Sequence, residues 1–174
     1  GVMLQLRCTA KVIRELGLKP GELVTSAHGE SILGNWFLNL FTVDRRKTFI
    51  FVNERTLLSF IIFGVKKSNI DKTPEIFLNG LDHLLVLESI GSGEINRVFQ
   101  GYESLEFTKT NSRKVLGNMN DLVDMYRYHI LYEGGFKSAD IGSIIMRVNR
   151  TPQRNLGWSS SIDMVRGLLR ETSQ

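Results

Sequence analysis

A polar segment at residues 109–121 contains the side chains best suited to bind an anion. Its hydrogen-bond donors are Lys109, Asn111, Ser112 and Arg113. These residues follow a predicted strand and precede a predicted helix, so they and the free N–H groups of the helix start would face a carboxylate or phosphate together. Turns are also rich in Asn and Ser for purely local reasons, and an ordinary helix start is therefore the alternative.

The end of this segment adds Asn118 and Asp121 to the candidate ligand-binding residues. Asn118 or Asn120 is predicted to open the helix by accepting hydrogen bonds from its first N–H groups. Asp121 would then lie at the positive end of the helix dipole, which favours a carboxylate.

The same region also supports an enzyme hypothesis, a hydrolase or transferase with its site near residues 109–129. Arg113 would hold an anionic substrate, and Asp121, Asp124 or His129 would move protons. Asp121 and Asp124 are one helical turn apart and would meet, whereas His129 lies further along the helix.

A second polar segment, residues 149–155, joins two predicted helices. Arg150 and Arg154 would extend a positive rim, and Trp158 would offer a ring on which a base or another ring could stack. A tryptophan in a loop more often covers the edge of a core. The binding hypothesis requires this segment and residues 109–121 to be neighbours in space.

Recognisable catalytic motifs are absent from the sequence. The histidines, His28, His83 and His129, match no metal-ligand spacing, and neither a phosphate loop nor a nucleophile elbow is present, so no metal or cofactor is expected. Cys8 precedes a predicted helix, where the pKa of a thiol can fall. A free cysteine is more often a small buried side chain, and a single cysteine indicates a reducing compartment.

Charge alternates along the chain in three blocks. Residues 1–70 contain ten basic and five acidic residues, residues 71–106 two and seven, and residues 107–154 eight and four. If the fold joins the two basic blocks, they form one positive face that attracts phosphates or an acidic partner. The alternative is that these charged side chains are only solvated on the protein surface and bind no partner.

The sequence pattern predicts the elements that position these residues. Together they form an α+β fold, an antiparallel β meander packed against several α-helices. Strands are predicted at residues 3–7, 36–43, 48–52, 56–63 and 104–108, with a charged hairpin turn at residues 44–47. Helices are predicted from Thr9 to Gly17, from Thr73 to about Glu88, from Ser92 to Gly101, from Asn118 to Gly134, from Ser138 to Val148 and from Ser161 to Leu169. Glu88 is expected outside the core. Residues 1–174 are expected to form one globular domain.

The meander is rich in phenylalanine, and one helical layer would leave part of its apolar surface uncovered. A homodimer is therefore a further hypothesis. The residues concerned are Phe37, Phe41, Phe49, Phe51, Phe60 and Phe63. No apolar run approaches the ~20 residues that span a bilayer, so no membrane association and a cytoplasmic location are expected.

Several stretches of the chain, MLQLRCT, DRRK, KTNSR, LGNMND and NRTP, resemble segments of an uncharacterised family of short bacterial proteins. The resemblance covers nearly the whole chain. It implies a bacterial cytoplasmic protein from the accessory gene pool, and it supplies no activity, cofactor or catalytic residue.

Together these features predict a binding or interaction module for an anionic small molecule or an acidic macromolecule. The enzyme near residues 109–129 is one alternative. The other is a nucleic-acid-binding accessory protein whose basic segments contact the phosphate backbone. The residue types alone do not decide whether the chain is an enzyme.

Overall fold

Five strands form one mixed sheet with helices on both faces. The computed structural model describes residues 3–24, 31–110 and 112–172. The strands are β1 (Met3–Cys8), β2 (Trp36–Val43), β3 (Arg46–Asn53), β4 (Ser59–Phe63) and β5 (Ser104–Lys109), in the spatial order β4-β3-β2-β1-β5. β2, β3 and β4 pair antiparallel, which confirms the predicted meander. β1 pairs parallel with both β2 and β5, so an α+β fold with a mixed sheet results.

The hairpin between β2 and β3 has a two-residue turn rather than the four charged residues expected. Asp44 and Arg45 both have positive φ, 49° and 61°. Two positive φ values are typical of a turn whose twist matches that of the flanking strands. Arg46 already pairs with Val43 and belongs to β3.

Six α-helices accompany the sheet in the described part of the chain. They are α1 (Ala10–Leu16), α2 (Thr73–Leu87), α3 (Ser92–Gln100), α4 (Arg113–Tyr132), α5 (Ile141–Arg150) and α6 (Ser161–Glu171). None of these helices combines the length and the apolar character that crossing a membrane would require.

The start of α4 differs from the prediction. Ser112 is its N-cap and accepts a hydrogen bond from the N–H of Val115 at 3.3 Å. Asn118 and Asn120 therefore lie inside the helix and do not open it. Gly117 costs about 1 kcal/mol relative to Ala within a helix, which is too little to end a helix packed against the sheet.

Other helix starts are confirmed or shifted by a residue or two. Thr9 caps α1 as predicted, and Gly17 ends it in the left-handed region with φ 65°. α5 is capped by Asp140 rather than Ser138, and α6 by Ser160 next to the predicted Ser161. Asp and Ser both accept well at this position, so neighbouring candidates compete.

Helices cover both faces of the sheet. Residues of α1, α2, α3 and α6 form one core cluster with one face, and residues of α4 and α5 form a second cluster with the other. Phe49, Phe51 and Phe60 belong to the first cluster, and Phe37 and Phe41 to the second. The expectation of a single helical layer is wrong. The homodimer hypothesis therefore loses its reason, which was apolar sheet surface that one layer would leave uncovered.

Candidate functional site

The polar segment after β5 is exposed at its start. Lys109 ends β5, Ser112 caps α4 and Arg113 is the first residue of the helix, and all three side chains are exposed. Asn111 lies outside the described residues. The hydroxyl of Ser112 accepts a hydrogen bond from the N–H of Val115. It therefore caps the helix, as expected if this segment is an ordinary helix start.

The two predicted polar segments are neighbours. Asn155 donates from Nδ2 to Oδ1 of Asn118 at 2.5 Å, which joins the loop after α5 to the second turn of α4. Beside this contact lies a cleft of about 200 Å³. It is lined by Phe37, Val52, Glu54, Leu57, Lys114, Val115 and Asn118.

The charges in this cleft do not favour an anion. Arg7 pairs with Glu54 at 3.1 Å and lies over the ring of Phe37, 5.6 Å from its centroid. Glu54 also accepts a hydrogen bond from the N–H of Asn35. An anion beside Lys114 would therefore also be close to the Glu54 carboxylate of the same cleft, and that carboxylate already compensates Arg7.

The remaining predicted ligand-binding residues do not line the cleft. Asp121 and Arg154 are exposed. Arg150 turns to Glu88, at 3.4 Å. Trp158 is 67% exposed and has φ +67°, so it does not cover the edge of the core as the alternative held.

The proton-transfer groups of the enzyme hypothesis all lie on α4. Asp121 and Asp124 are exposed, and within the described residues no hydrogen bond or ion pair joins either of them to His129. Burial and the nearby Arg147 lower the pKa of His129, with an opposing effect of Glu133. The described residues contain no group of three acidic, His or Cys side chains that could hold a metal, and His28 lies outside them.

Cys8 is fully buried in the first core cluster. Burial raises the pKa of its thiol from 9.0 to about 12. A thiol of this kind is protonated at neutral pH and is a poor nucleophile, so the structural interpretation of Cys8 holds.

An apolar groove lies along the outer edge of β4. It encloses about 610 Å³ between α2 on one face of the sheet and α5 on the other. That volume lies within the range of ligand-binding clefts. The β4 groove is lined by Phe60, Ile61, Ile62, Phe63, Ile76, Asn79, Gly80, His83, Leu84, Leu87, Ile141, Gly142 and Ile145.

Alternate residues of β4 present their backbone groups to this groove. Leu58 accepts from the N–H of Asn53, and Gly64 donates to Lys47, so the even-numbered residues of β4 pair with β3. In an antiparallel ladder the residues between them direct N–H and C=O away from the partner strand. The backbone groups of Ser59, Ile61 and Phe63 therefore point outward.

Asn149 of α5 satisfies the first of these outward residues. Its Oδ1 accepts from the N–H of Ser59 at 2.9 Å, and its Nδ2 donates to the Ser59 carbonyl at 2.7 Å. The same nitrogen donates to the carbonyl of Ile145. A side-chain amide has one donor and one acceptor side by side, so Asn149 substitutes for a residue of a neighbouring strand. Asn149 was predicted in a polar surface segment, and it is fully buried.

Ile61 and Phe63 have no such substitute. No described residue hydrogen-bonds to their outward N–H and C=O groups. Ile61 as a whole residue is 2% exposed and Phe63 is 39% exposed, so the outward backbone groups of Ile61 are covered and β4 reaches the surface only toward Phe63.

A buried carboxylate holds the helices that flank the groove. Glu88, just after α2, has a fully buried side chain, which corrects the expectation that it stays outside the core. Arg150 of α5 and Arg166 of α6 both approach its Oε2, at 3.4 and 3.7 Å. Arg166 also donates to the Glu88 carbonyl at 3.0 Å.

Gly80 sets the distance between α2 and β4. A Cβ atom at this position would collide with the ring of Phe60. The absence of a side chain lets the helix backbone approach the strand, and it leaves space in the groove beside Asn79 and His83.

Sequence reasoning missed this groove. The apolar run of β4 was recognised as a strand, but nothing local indicates that it forms the edge of the sheet. Gly80 inside a helical apolar pattern was the available signal, because a glycine there costs about 1 kcal/mol and often has a packing reason.

Comparison with protein families identifies a match over most of the chain. A family model described as a domain of unknown function, DUF6933, matches residues 5–164. No curated protein matches the chain.

Proposed function

The chain belongs to the DUF6933 family, and we propose from its geometry that it is a binding module that holds an apolar ligand in the β4 groove. The family is described as a domain of unknown function, so the proposal rests on the structure. The observation that carries this proposal is the groove itself, about 610 Å³ with predominantly apolar walls. Most ligand sites are apolar concavities of this size with a few polar groups that orient the ligand.

The groove supplies both kinds of contact. Ile76 and Leu87 of α2 and Ile141 of α5 offer apolar surface, and Phe63 and Leu87 are large apolar side chains that stay partly exposed. Asn79 and His83 are exposed at the α2 wall and provide polar contacts. Burial of apolar ligand surface here would supply about 25 cal/mol per Å².

Binding of Nile red, a neutral apolar dye, tests this proposal. Gly142→Phe would fill the groove, and its Cβ has room because the nearest atoms, in Leu87 and Asp140, lie 3.7 Å away. Gly93→Phe is the matched control, since Gly93 is also the second residue of a helix and its Cβ would point into open space.

We expect the wild type and Gly93→Phe to bind one dye, and Gly142→Phe to bind at least about tenfold more weakly, a loss of ~1.4 kcal/mol. Thermal unfolding verifies that both variants fold. Equal dye binding by folded Gly142→Phe and wild type, or no binding by the wild type, contradicts the proposal.

An anionic ligand or a nucleic acid remains the second candidate, with the proposed site residues 109–121 and 149–158. The contact between Asn118 and Asn155 favours it, because it brings Lys114 and Arg154 to one side of the molecule. Heparin binding at low salt tests it, because phosphate and sulfate contacts are strongest there. The double variant Lys114→Ala/Arg154→Ala should weaken retention, and Lys11→Ala/Lys19→Ala on exposed positions far along the chain is the control. No retention of the wild type rules this candidate out.

A further inference from the structure

Three lysines line a second cavity, which shares no lining residue with the β4 groove. We propose that this cavity, the lysine cavity, binds a small dianion, the phosphate group of a phosphate monoester, between Lys47, Lys66 and Lys67. This inference goes beyond the proposed function, because it concerns a different site and a charged ligand.

The lysine cavity encloses about 450 Å³, which lies within the range of ligand-binding clefts. Its lining comes from α1, from two strands and from the segment after β4: Glu15, Leu16, Leu40, Lys47, Phe49, Val65, Lys66 and Lys67. Leu16, Leu40 and Phe49 are buried members of the first core cluster, whereas the charged residues are exposed. The cavity therefore has an apolar floor and a charged rim.

The turn after β4 brings Lys66 and Lys67 to Lys47. Gly64 has φ +74°, and its N–H donates to the carbonyl of Lys47 at 3.0 Å. The N–H of Val65 approaches the same carbonyl at 3.4 Å. The segment that contains two of the lysines is thus fastened to the backbone of the third.

Lys67 also passes the C-terminal end of α1. A Cβ atom on Gly17, which ends this helix, would lie 3.4 Å from Cε and 3.8 Å from Nζ of Lys67. The negative end of a helix dipole attracts an ammonium group but supplies only a partial charge. Within the described residues, the ammonium groups of Lys66 and Lys67 form no hydrogen bond or ion pair. Two of the three lysines therefore keep an unpaired charge at the cavity.

Glu15 is the one carboxylate among the described residues that line this cavity, and it pairs with Lys47. The hydrogen bond from Lys47 lowers the pKa of Glu15, desolvation opposes this effect in part, and Lys67 and Arg14 lower the pKa further. Glu15 is therefore ionised at neutral pH. Three positive charges against one negative charge leave the lining with a net charge of +2.

This charge balance selects the ligand. In the cleft beside Lys114 one lysine is offset by Glu54, whereas the lysine cavity keeps two charges to be neutralised. The phosphate of a monoester carries about −1.5 to −2 charges at pH 7 and has three acceptor oxygens, so it can pair with more than one lysine. A phosphodiester of a nucleic acid brings only one charge. The organic part of the ester would rest on the apolar floor.

The main test compares phenyl phosphate with phenyl sulfate, which has a similar shape and a single charge. At pH 8 and low salt we expect phenyl phosphate to bind at least about fivefold more tightly, because its second ionisation near pH ~6 is complete. At pH 5 the phosphate is a monoanion, while the lysines and Glu15 keep their charges, so the difference should fall below about twofold. Isothermal titration calorimetry measures the four affinities.

Lysine variants locate the bound phosphate. Lys66→Ala and Lys67→Ala should each weaken the binding of phenyl phosphate at least about threefold, because each removes a charged donor at an exposed site. Lys137→Ala is the matched control and should bind like the wild type. Lys137 is exposed between α4 and α5, on the other face of the sheet. Thermal unfolding verifies that all three variants fold.

A glutamate variant tests the charge balance in the opposite direction. Glu15→Gln removes the opposing carboxylate and releases Lys47, so we expect phenyl phosphate to bind at least about threefold more tightly. Glu103→Gln is the control for net charge and should leave the affinity unchanged. Glu103 is exposed just before β5, at the edge of the sheet opposite β4. Equal gains for the two variants would mean that the ester responds only to the net charge of the protein, and the site would be wrong.

Other results would also overturn this inference. These are the absence of phenyl phosphate binding to the wild type, equal affinities for the phosphate and the sulfate at pH 8, and binding that neither Lys66→Ala nor Lys67→Ala weakens. Loss of binding in Lys114→Ala/Arg154→Ala alone would assign the phosphate to the other cleft. Competition between phenyl phosphate and Nile red would place the ester in the β4 groove, whereas we expect both to bind at once because the two sites share no lining residue.

Discussion

Asn149 of α5 and Ser59 of β4 are joined by two hydrogen bonds in opposite directions, 2.9 Å from the Ser59 N–H and 2.7 Å to its carbonyl. They lie 90 positions apart in the chain. The Ser59 hydroxyl also contacts the hydroxyl of Tyr126 at 2.8 Å, so α4 and α5 both meet β4 at this residue. The contact satisfies the outward backbone groups at the Ser59 end of the β4 edge.

Loss of the Asn149 amide should destabilise the protein. Asn149→Ala leaves the buried N–H and C=O of Ser59 without partners, and each unsatisfied group costs about 1–3 kcal/mol, so we expect a loss of at least about 2 kcal/mol. Urea unfolding measures it. Asn155→Ala is the control, because its hydrogen bond to Asn118 is at the surface and its loss should cost less than about 0.5 kcal/mol. Equal losses for the two variants would refute the structural role of Asn149.

The ion cluster at Glu88 should respond asymmetrically to substitution. Glu88→Gln removes the buried charge and releases Arg150 and Arg166, which are 55% and 40% exposed, to water. The double variant Arg150→Ala/Arg166→Ala instead leaves the buried Glu88 carboxylate without an ion-pair partner, at a cost of about 3–5 kcal/mol. We expect the double variant to lose clearly more stability than Glu88→Gln in urea unfolding. The reverse order would mean that the arginines do not stabilise the carboxylate.

The strained backbone of Trp158 should be relieved by glycine. At φ +67° a residue with a Cβ costs about 1–2 kcal/mol relative to its usual conformations. The exposed ring contributes little packing, so Trp158→Ala should be near neutral, and Trp158→Gly should be more stable than Trp158→Ala by about 1 kcal/mol. Thermal unfolding compares the two. If both variants lost more than about 2 kcal/mol, the ring would be covering the core after all.

Cys8 should make stability fall at alkaline pH. Burial raises its thiol pKa from 9.0, the value expected in the unfolded chain, to about 12. The native state therefore keeps a proton that the unfolded state releases. Stability is unaffected well below pH 9.0 and falls as pH rises toward 12.

The matched variant for this test is Cys8→Ala. Between pH 7 and 10 the free energy of unfolding of the wild type should fall by up to about 1.4 kcal/mol more than that of Cys8→Ala, since each pH unit above the unfolded pKa contributes at most ~1.36 kcal/mol. Parallel pH profiles of the two proteins would contradict this. A thiol reagent should modify the wild type only after unfolding.

Residues next to each other in the sequence correctly predicted those helices and strands whose ends are set by local caps and turns. Thr9 and Gly17 bound α1 as expected, because one accepts from the first turn and the other adopts positive φ. β2 matches its predicted limits, Trp36–Val43. α4 was predicted to start later, because Ser112 and Asn118 are both good caps and only the packing of the first turn on the sheet decides between them.

The candidate site depends on distant pairs that no local pattern encodes. Glu88 is buried because its partners are Arg150 and Arg166, which lie far along the chain. β4 is an edge strand because β1 joins the opposite side of β2, so the chain leaves one side of the meander without a neighbour. Asn149 has the composition of a loop residue and becomes a strand substitute only when α5 lies over that edge.

The interior position of β1 has a consequence for how the chain folds. β2, β3 and β4 are joined by short connections and can pair soon after collapse, whereas β1 must meet β5 across about a hundred residues, from Met3 to Ser104. Contacts of such long separation close slowly, because the loop entropy is lost before they contribute. We therefore expect the β2–β3–β4 meander to form early in folding, with the outer side of β2 still unpaired. The pairing of β1 with β2 and β5 should then limit the refolding rate.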